Sequence, residues 1–129
     1  MAMSVEEMVN EARKHVPEVS ASEAKEALDQ GEVEVILDVR EPQEWVAGHI
    51  PGAVYVPRGL LEWHADQASP MCKPELQGRT DARIVVHCAA GGRSLLAAQT
   101  LKKMGYTNVV SMDGGFADWA AHGFPVEHA

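Results

Sequence analysis

The chain has 129 residues, 46% hydrophobic and 23% charged, a composition that is typical of one compact folded domain rather than of a disordered protein. Its formal net charge of −8 argues against a nucleic-acid partner, because such a partner needs a basic surface stripe. No stretch approaches the roughly 20 apolar residues that span a membrane, and the start lacks the segments of a signal peptide. We therefore expect a cytoplasmic protein with no membrane partner and with free thiols at Cys72 and Cys88.

The first 16 residues predict a helical extension, with acidic side chains near its start and basic ones near its end. We place the main domain at residues 17–129. Ser20 and Glu23 form a capping box that begins a second helix, and Gly31 ends it.

Helices and β-strands alternate along the chain. Helical patterns cover residues 5–15, 21–30, 42–49, 59–66, 93–104 and 114–123. Strand patterns cover residues 33–39, 52–57, 82–88 and 108–112, and residues 67–81 are typical of an irregular loop. This alternation predicts an α/β fold with a mostly parallel sheet that helices cover on both faces.

A single cysteine stands between the third strand pattern and the longest helix, in the stretch HCAAGGRS. Sites in open α/β sheets lie beyond the carboxyl ends of the strands, which is where Cys88 falls. Four small residues follow it: Ala89, Ala90, Gly91 and Gly92. Their N–H groups can turn toward one point beside a helix N-terminus and lower the pKa of the thiol. The alternative is that Cys88 is a buried, inert residue at the end of a strand.

Three motifs occur here in the order found in one protein family. CAAGGRS resembles the C-x-x-G-x-R-S active-site loop of the rhodanese sulfurtransferases. LDVREPQEWVAGHIPGAVYVP (residues 37–57) is similar to that family's D-V-R-E segment, and DGGFADW (residues 113–119) is similar to its G-G-x-x-x-W ending. The resemblance to a single-domain rhodanese covers residues 17–126 and leaves the N-terminal helix outside.

The resemblance implies a rhodanese-like fold with a central five-stranded, mostly parallel sheet, and catalysis without a cofactor. Carried over by position, Cys88 is the nucleophile: it takes a sulfane sulfur from thiosulfate or a persulfide such as glutathione persulfide. It then passes that sulfur to a thiol or to cyanide, and a protein sulfur carrier is a further candidate partner. The implied cradle consists of the N–H groups of Ala89, Ala90, Gly91, Gly92, Arg93 and Ser94.

Two other functions use the same fold. Phosphatases and arsenate reductases place five residues between cysteine and arginine, whereas four stand between Cys88 and Arg93. The smaller loop suits one sulfur atom better than a tetrahedral phosphate. A rhodanese module that only binds a partner is the third interpretation, and the presence of Cys88 argues against it. Glu44 stands where two-domain thiosulfate enzymes carry an arginine, which favours a persulfide donor over thiosulfate.

Two arginines and a second cysteine have open roles. Arg58 follows a strand and is the second candidate for binding the donor, with a solvated surface arginine as the alternative. Arg93 either points into the site or pairs with an acid under the loop, which we favour slightly. Cys72 lies in the irregular loop and is either an incidental exposed thiol, or a second sulfur relay or resolving cysteine for Cys88.

The remaining polar and aromatic residues are expected to be structural. Asp38 and Arg40 are expected to form a network near the loop, and His49 and His87 to be hydrogen-bonded or packed. The histidines and cysteines show no metal-ligand spacing, so we predict no metal site. The tryptophans are expected to pack helices on the sheet: Trp45, Trp63 and Trp119.

Overall fold

A five-stranded parallel sheet runs through the centre of the computed structural model, which describes residues 2–128. The strands are β1 (Glu18–Val19), β2 (Val35–Asp38), β3 (Val54–Tyr55), β4 (Ile84–His87) and β5 (Val109–Met112). Their order across the sheet is β1-β5-β4-β2-β3, and every pairing is parallel. The predicted fold class, α/β with a five-stranded parallel sheet, is confirmed.

Helices connect the strands. Within residues 2–128 they are α1 (Val5–Arg13), α2 (Ala21–Asp29), α3 (Pro42–Ala47), α4 (Leu61–Ala65), α5 (Gly92–Lys103) and α6 (Gly115–Ala121). A 3₁₀ helix (Arg58–Leu60) precedes α4, so the single helix predicted over residues 59–66 is divided. None of these helices is long and apolar enough to cross a membrane.

Helices cover both faces of the sheet. Successive strand residues point to opposite faces, so apolar strand side chains must be buried on each. On one face, Leu37 and Val86 pack with α1, α4 and α5. On the other face, Ile36 and Val85 pack with α2 and α6. Both sets of strand side chains are buried, which explains why consecutive residues of β2 and β4 are apolar on both faces of the sheet.

The three tryptophans differ from one another. Trp119 is buried at 1% exposure and packs α6 on the sheet, as predicted. Trp45 stacks on His49 with ring centroids 3.6 Å apart. Trp63 is 54% exposed, so the prediction that it packs a helix on the sheet is wrong. The short α4 uses Leu61 and Ala65, four residues apart, to reach the core, and Trp63 lies between them on another side of the helix.

Strand β1 was not predicted from the residues themselves. It is only two residues long and lies between Pro17 and the capping box, too short for a periodic pattern. Its pairing with β5 makes it a strand: Glu18 pairs with Ser111 and Val19 with Met112. A tertiary contact therefore decides its conformation.

The N-terminal helix shares the core of the main domain. Ala12 of α1 is fully buried, and Val9 packs against the same cluster as Leu95 and Leu101 of α5. The boundary at residue 17 stays a prediction, but α1 belongs to the same packed body as the helix that follows Cys88.

Candidate active site

Cys88 is the first residue after β4, at the carboxyl edge of the sheet. Its side chain is only 2% exposed. Gly91 has a φ of +117°, in the left-handed region that glycine adopts without strain, and it caps the N-terminus of α5. The chain can therefore turn directly from the strand into a helix whose N-terminus faces the sulfur.

Hydrogen-bond donors converge on Cys88 Sγ. The N–H of Gly91 donates to Sγ at 3.1 Å and the N–H of Ser94 at 3.4 Å, and Ser94 Oγ lies 3.5 Å away. Burial raises the pKa of this thiol. Hydrogen bonds from the Ser94 hydroxyl and from the N–H groups of Ser94, Gly91 and Ala90 outweigh burial, so the net pKa lies below its ordinary value. The site therefore favours a thiolate.

Ser111 contacts the Ser94 hydroxyl and was missed from the sequence. Both serines are fully buried, and their Oγ atoms are 2.8 Å apart. The Ser94 hydroxyl donates to Gly91 O at 3.1 Å. A hydrogen bond donated by Ser111 leaves that single hydrogen able to turn to Sγ when Cys88 is a thiolate. The signal that could have found Ser111 is the register of the sheet, which pairs it with Val86, two residues before Cys88 on the same side of β4.

The start of α6 binds the carbonyl groups of the cysteine loop. The N–H of Phe116 donates to Cys88 O at 2.8 Å, and the N–H of Ala117 donates to Ala89 O at 3.1 Å. A Cβ on Gly115 would collide with Cys88 O and lie 2.8 Å from Ala89 O. Because these two carbonyl groups point to α6, the N–H groups of Ala90 and Gly91 can face the sulfur. This contact gives the DGGFADW motif a physical role.

Arg93 pairs with an acid. Its Nη1 donates to Glu44 Oε1 at 2.7 Å and its Nη2 to Oε2 at 3.0 Å, a bidentate geometry. The Arg93 hydrogen bonds lower the pKa of Glu44 to about 2, so the pair stays ionised near neutral pH. Of the two roles considered for Arg93, this geometry supports the one that fixes the loop.

Arg58 is not brought together with Cys88. Its guanidinium donates to Glu62 at 3.1 Å and to Thr100 Oγ1 at 3.1 Å, and it does not line the cavity at the sulfur. Glu62 and Thr100 hold Arg58 beside α4. The geometry therefore does not support the expected contact between Arg58 and the sulfur donor.

Cys72 and Cys88 are both free thiols. Burial raises the pKa of Cys72, and its nearby groups include Asp66 and Tyr106. Cys72 lies in the segment between α4 and β4 and does not line the cavity at Cys88. This placement argues against a direct relay between them.

Behind the loop lies the expected polar network. Arg40 binds Asp38 with Nε at 3.0 Å and Nη2 at 2.9 Å, and its guanidinium stands 4.3 Å from the centre of the Phe116 ring. His87 is fully buried, with Nε2 3.7 Å from Asp38 Oδ2, and burial lowers its pKa. His49 Nδ1 lies 3.0 Å from Trp45 O. These contacts fit the structural roles expected for both histidines.

A cavity of about 320 Å³ lies in front of the sulfur. It is lined by Val5, Val9, Cys88, Ala89, Ala90, Gly92, Arg93 and Leu96. The two valines come from α1 and were missed from the sequence because α1 lies outside the three motifs. In the part of the chain that the structure describes, no three His, Cys, Asp or Glu side chains are grouped as a metal site.

Replacing Gly115 with alanine tests the contact between α6 and the cysteine loop. We expect Gly115→Ala to displace the loop carbonyls, to slow alkylation of Cys88 at neutral pH by tenfold or more, and to lower the free energy of unfolding by about 2 kcal/mol or more. Urea unfolding and iodoacetamide kinetics measure the two effects.

Gly123→Ala is the matched control. Gly123 also has a positive φ, +74°, but a Cβ there meets no atom within 4 Å. The Gly123→Ala protein should lose only about 1–2 kcal/mol of its free energy of unfolding, which is the cost of an alanine at positive φ. It should keep the wild-type rate of Cys88 alkylation. Equal effects of the two substitutions would contradict the proposed loop contact.

Comparison with known proteins gives the chain a family. The profile described as "Rhodanese-like domain" matches residues 20–122. Thiosulfate sulfurtransferase GlpE of Pseudoalteromonas translucida (strain TAC 125) is 37% identical over 103 residues, which are 80% of this chain and 88% of that protein. The putative sulfur carrier protein YrkF of Bacillus subtilis (strain 168) is 36% identical over 104 residues, 81% of this chain. The match spans about half of that relative, 51% of its length.

Among solved structures, the protein of unknown function RPA3614 from Rhodopseudomonas palustris CGA009, described as a possible tyrosine phosphatase, superposes with a TM-score of 0.90 at 36% identity. The match covers 98% of this chain and 96% of that one, and so takes in α1. Because the profile matches most of the chain and GlpE is similar over nearly its whole length, the protein belongs to the rhodanese-like domain family.

Proposed function

We propose that this protein is a sulfurtransferase that works through a persulfide on Cys88. The observation that supports this most directly is the convergence of the Gly91 and Ser94 N–H groups on Sγ. A thiolate is the nucleophilic form of cysteine. The same donors suit a persulfide, whose terminal sulfur is also anionic near neutral pH.

The transfer has two steps. In the first, the Cys88 thiolate attacks the sulfane sulfur of the donor, a new S–S bond forms, and the donor's bond to that sulfur breaks. The electron pair leaves with the donor as a thiolate or as sulfite. In the second step, a thiolate or cyanide attacks the terminal sulfur, and Cys88 leaves as a thiolate. The cycle needs no oxidant, reductant or cofactor.

The phosphatase alternative fits the described geometry less well. A phosphoryl group needs a cation for its oxygens and an acid to protonate the leaving group. Arg93 is already bound to Glu44, and among the described residues that line the cavity there is no carboxylic acid. The cavity therefore lacks what phosphate-ester cleavage requires.

We propose a persulfide as the natural donor. Thiosulfate carries both of its negative charges close to the sulfane sulfur, and the chain carries a net charge of −8. Among the described residues that line the cavity, the cation is Arg93, and Glu44 neutralises it. The relative GlpE is named for thiosulfate, so this preference separates the two proteins. A thiol, cyanide or a protein sulfur carrier is the proposed acceptor, and the cytoplasm, where free thiols persist, is the proposed location.

Intact-mass measurement tests the covalent intermediate. After incubation with glutathione persulfide, we expect the protein to gain the mass of one sulfur atom, because the Cys88 thiolate keeps the transferred sulfur. Cys72→Ser should keep this gain and Cys88→Ser should lose it.

Other results would favour the other functions. Hydrolysis of a generic phosphoester, or turnover of arsenate, without any gain of sulfur would favour the phosphatase class. Neither activity, with no gain of sulfur, would favour a binding module.

Comparing two donors tests the donor preference. We expect kcat/KM for thiosulfate to be at least tenfold below that for glutathione persulfide with the same acceptor, about 1.4 kcal/mol. Both charges of thiosulfate must enter the cavity with its sulfur, where the described lining residues offer no unpaired cation. A low-millimolar KM for thiosulfate together with fast turnover to cyanide would contradict this preference.

A further inference from the structure

We infer that α1 is part of the substrate site and that Val5 and Val9 select donors whose sulfur is carried on an uncharged carbon stem. The substrate class in this inference rests on the proposed sulfur transfer. The position of α1 at the mouth of the cavity rests on geometry alone.

The geometry places α1 against the cysteine loop. Val9 packs on the core beside α5, and its Cγ2 is the nearest atom, 3.9 Å away, to the position a Cβ on Gly92 would take. Val5 lies one helical turn earlier, lines the same cavity and is 70% exposed. Since Cys88 itself is only 2% exposed, a reagent that reaches the sulfur through this cavity passes the α1 wall.

The wall has an apolar character. The large apolar side chains that line the cavity are those of Val5 and Val9 of α1 and Leu96 of α5. Within residues 2–128, the charged side chain that lines the cavity is that of Arg93, and Glu44 neutralises it through two hydrogen bonds. A methylene next to the sulfur gains apolar contact there, whereas a sulfonate loses hydration and gains no charged partner.

This arrangement specifies the class of donor. A persulfide of the type R–CH₂–S–SH, from a small thiol or from a cysteine side chain, presents its methylene to the valines as the terminal sulfur reaches Cys88. The S–S bond of the donor breaks, the sulfur stays on Cys88, and R–CH₂–S⁻ leaves along the same apolar wall.

A charge at the rim of the cavity tests the inference. In a Cys72→Ser background, we expect Val5→Lys to raise kcat/KM for thiosulfate relative to glutathione persulfide by about threefold or more at low salt. Both charges of thiosulfate enter the cavity with the reacting sulfur, whereas the carboxylates of glutathione lie several bonds farther from it, so a lysine at the cavity attracts thiosulfate more. Val9→Thr, which keeps the shape but adds a hydroxyl, should lower kcat/KM for the persulfide and leave the circular-dichroism spectrum unchanged.

Val46→Lys is the matched control for Val5→Lys. Val46 is also an exposed valine, at 55% exposure, but it lies on α3 and does not line the cavity. Val46→Lys changes the net charge by the same amount but away from the cavity. The ratio of kcat/KM for thiosulfate to kcat/KM for glutathione persulfide should therefore stay at the wild-type value. Equal changes in the two lysine variants, or no change in either, would overturn the inference.

A second readout does not depend on sulfur transfer. Iodoacetate is anionic and iodoacetamide is neutral, and both alkylate the Cys88 thiolate. Val5→Lys should raise the ratio of the two rate constants by about threefold, and Val46→Lys should not. If no donor loads sulfur on Cys88 but this ratio responds, the proposed function fails and the role of α1 at the site stands. If sulfur loads but the ratio is unmoved, the role of α1 fails.

Discussion

Backbone N–H groups hold the buried sulfur of Cys88, and the loop and its neighbouring elements are arranged around this contact. Burial by itself favours the neutral thiol, and Cys88 is almost completely buried. Only donors that converge at short range can reverse that preference, and here they come from Gly91, Ser94 and the N-terminus of α5. The small residues of the loop follow from this requirement, because larger side chains would occupy the space in which the backbone must turn.

The surrounding elements fix both sides of that loop. The parallel sheet brings the end of β4 beside β5, so that Ser111 reaches the Ser94 hydroxyl. The start of α6 binds the Cys88 and Ala89 carbonyls, and Gly115 permits the close approach. The Arg93–Glu44 pair ties α5 to α3. The loop conformation thus depends on these neighbours as well as on the small residues of the loop itself.

The sequence predicts the features that depend on local pattern, and it misses those that depend on tertiary contact. The apolar strands, the longest helix and the position of Cys88 could be predicted because each has a run or spacing of its own. Strand β1 could not, since pairing with β5 makes it a strand. Ser111 and Val9 lie far from Cys88 along the chain and reach its surroundings only after folding. The prediction that Trp63 packs on the sheet was wrong because hydrophobicity alone does not show which side of a short helix faces the core.

The titration of the Cys88 thiol tests this account most directly. In Cys72→Ser protein, the pH dependence of iodoacetamide alkylation should give a midpoint below about 8.5, the value of a free cysteine. Ser94→Ala, which removes the hydroxyl donor, should move the midpoint to higher pH. A midpoint at or above that of free cysteine, unchanged in Ser94→Ala, would contradict the claim that these hydrogen bonds hold the sulfur as a thiolate.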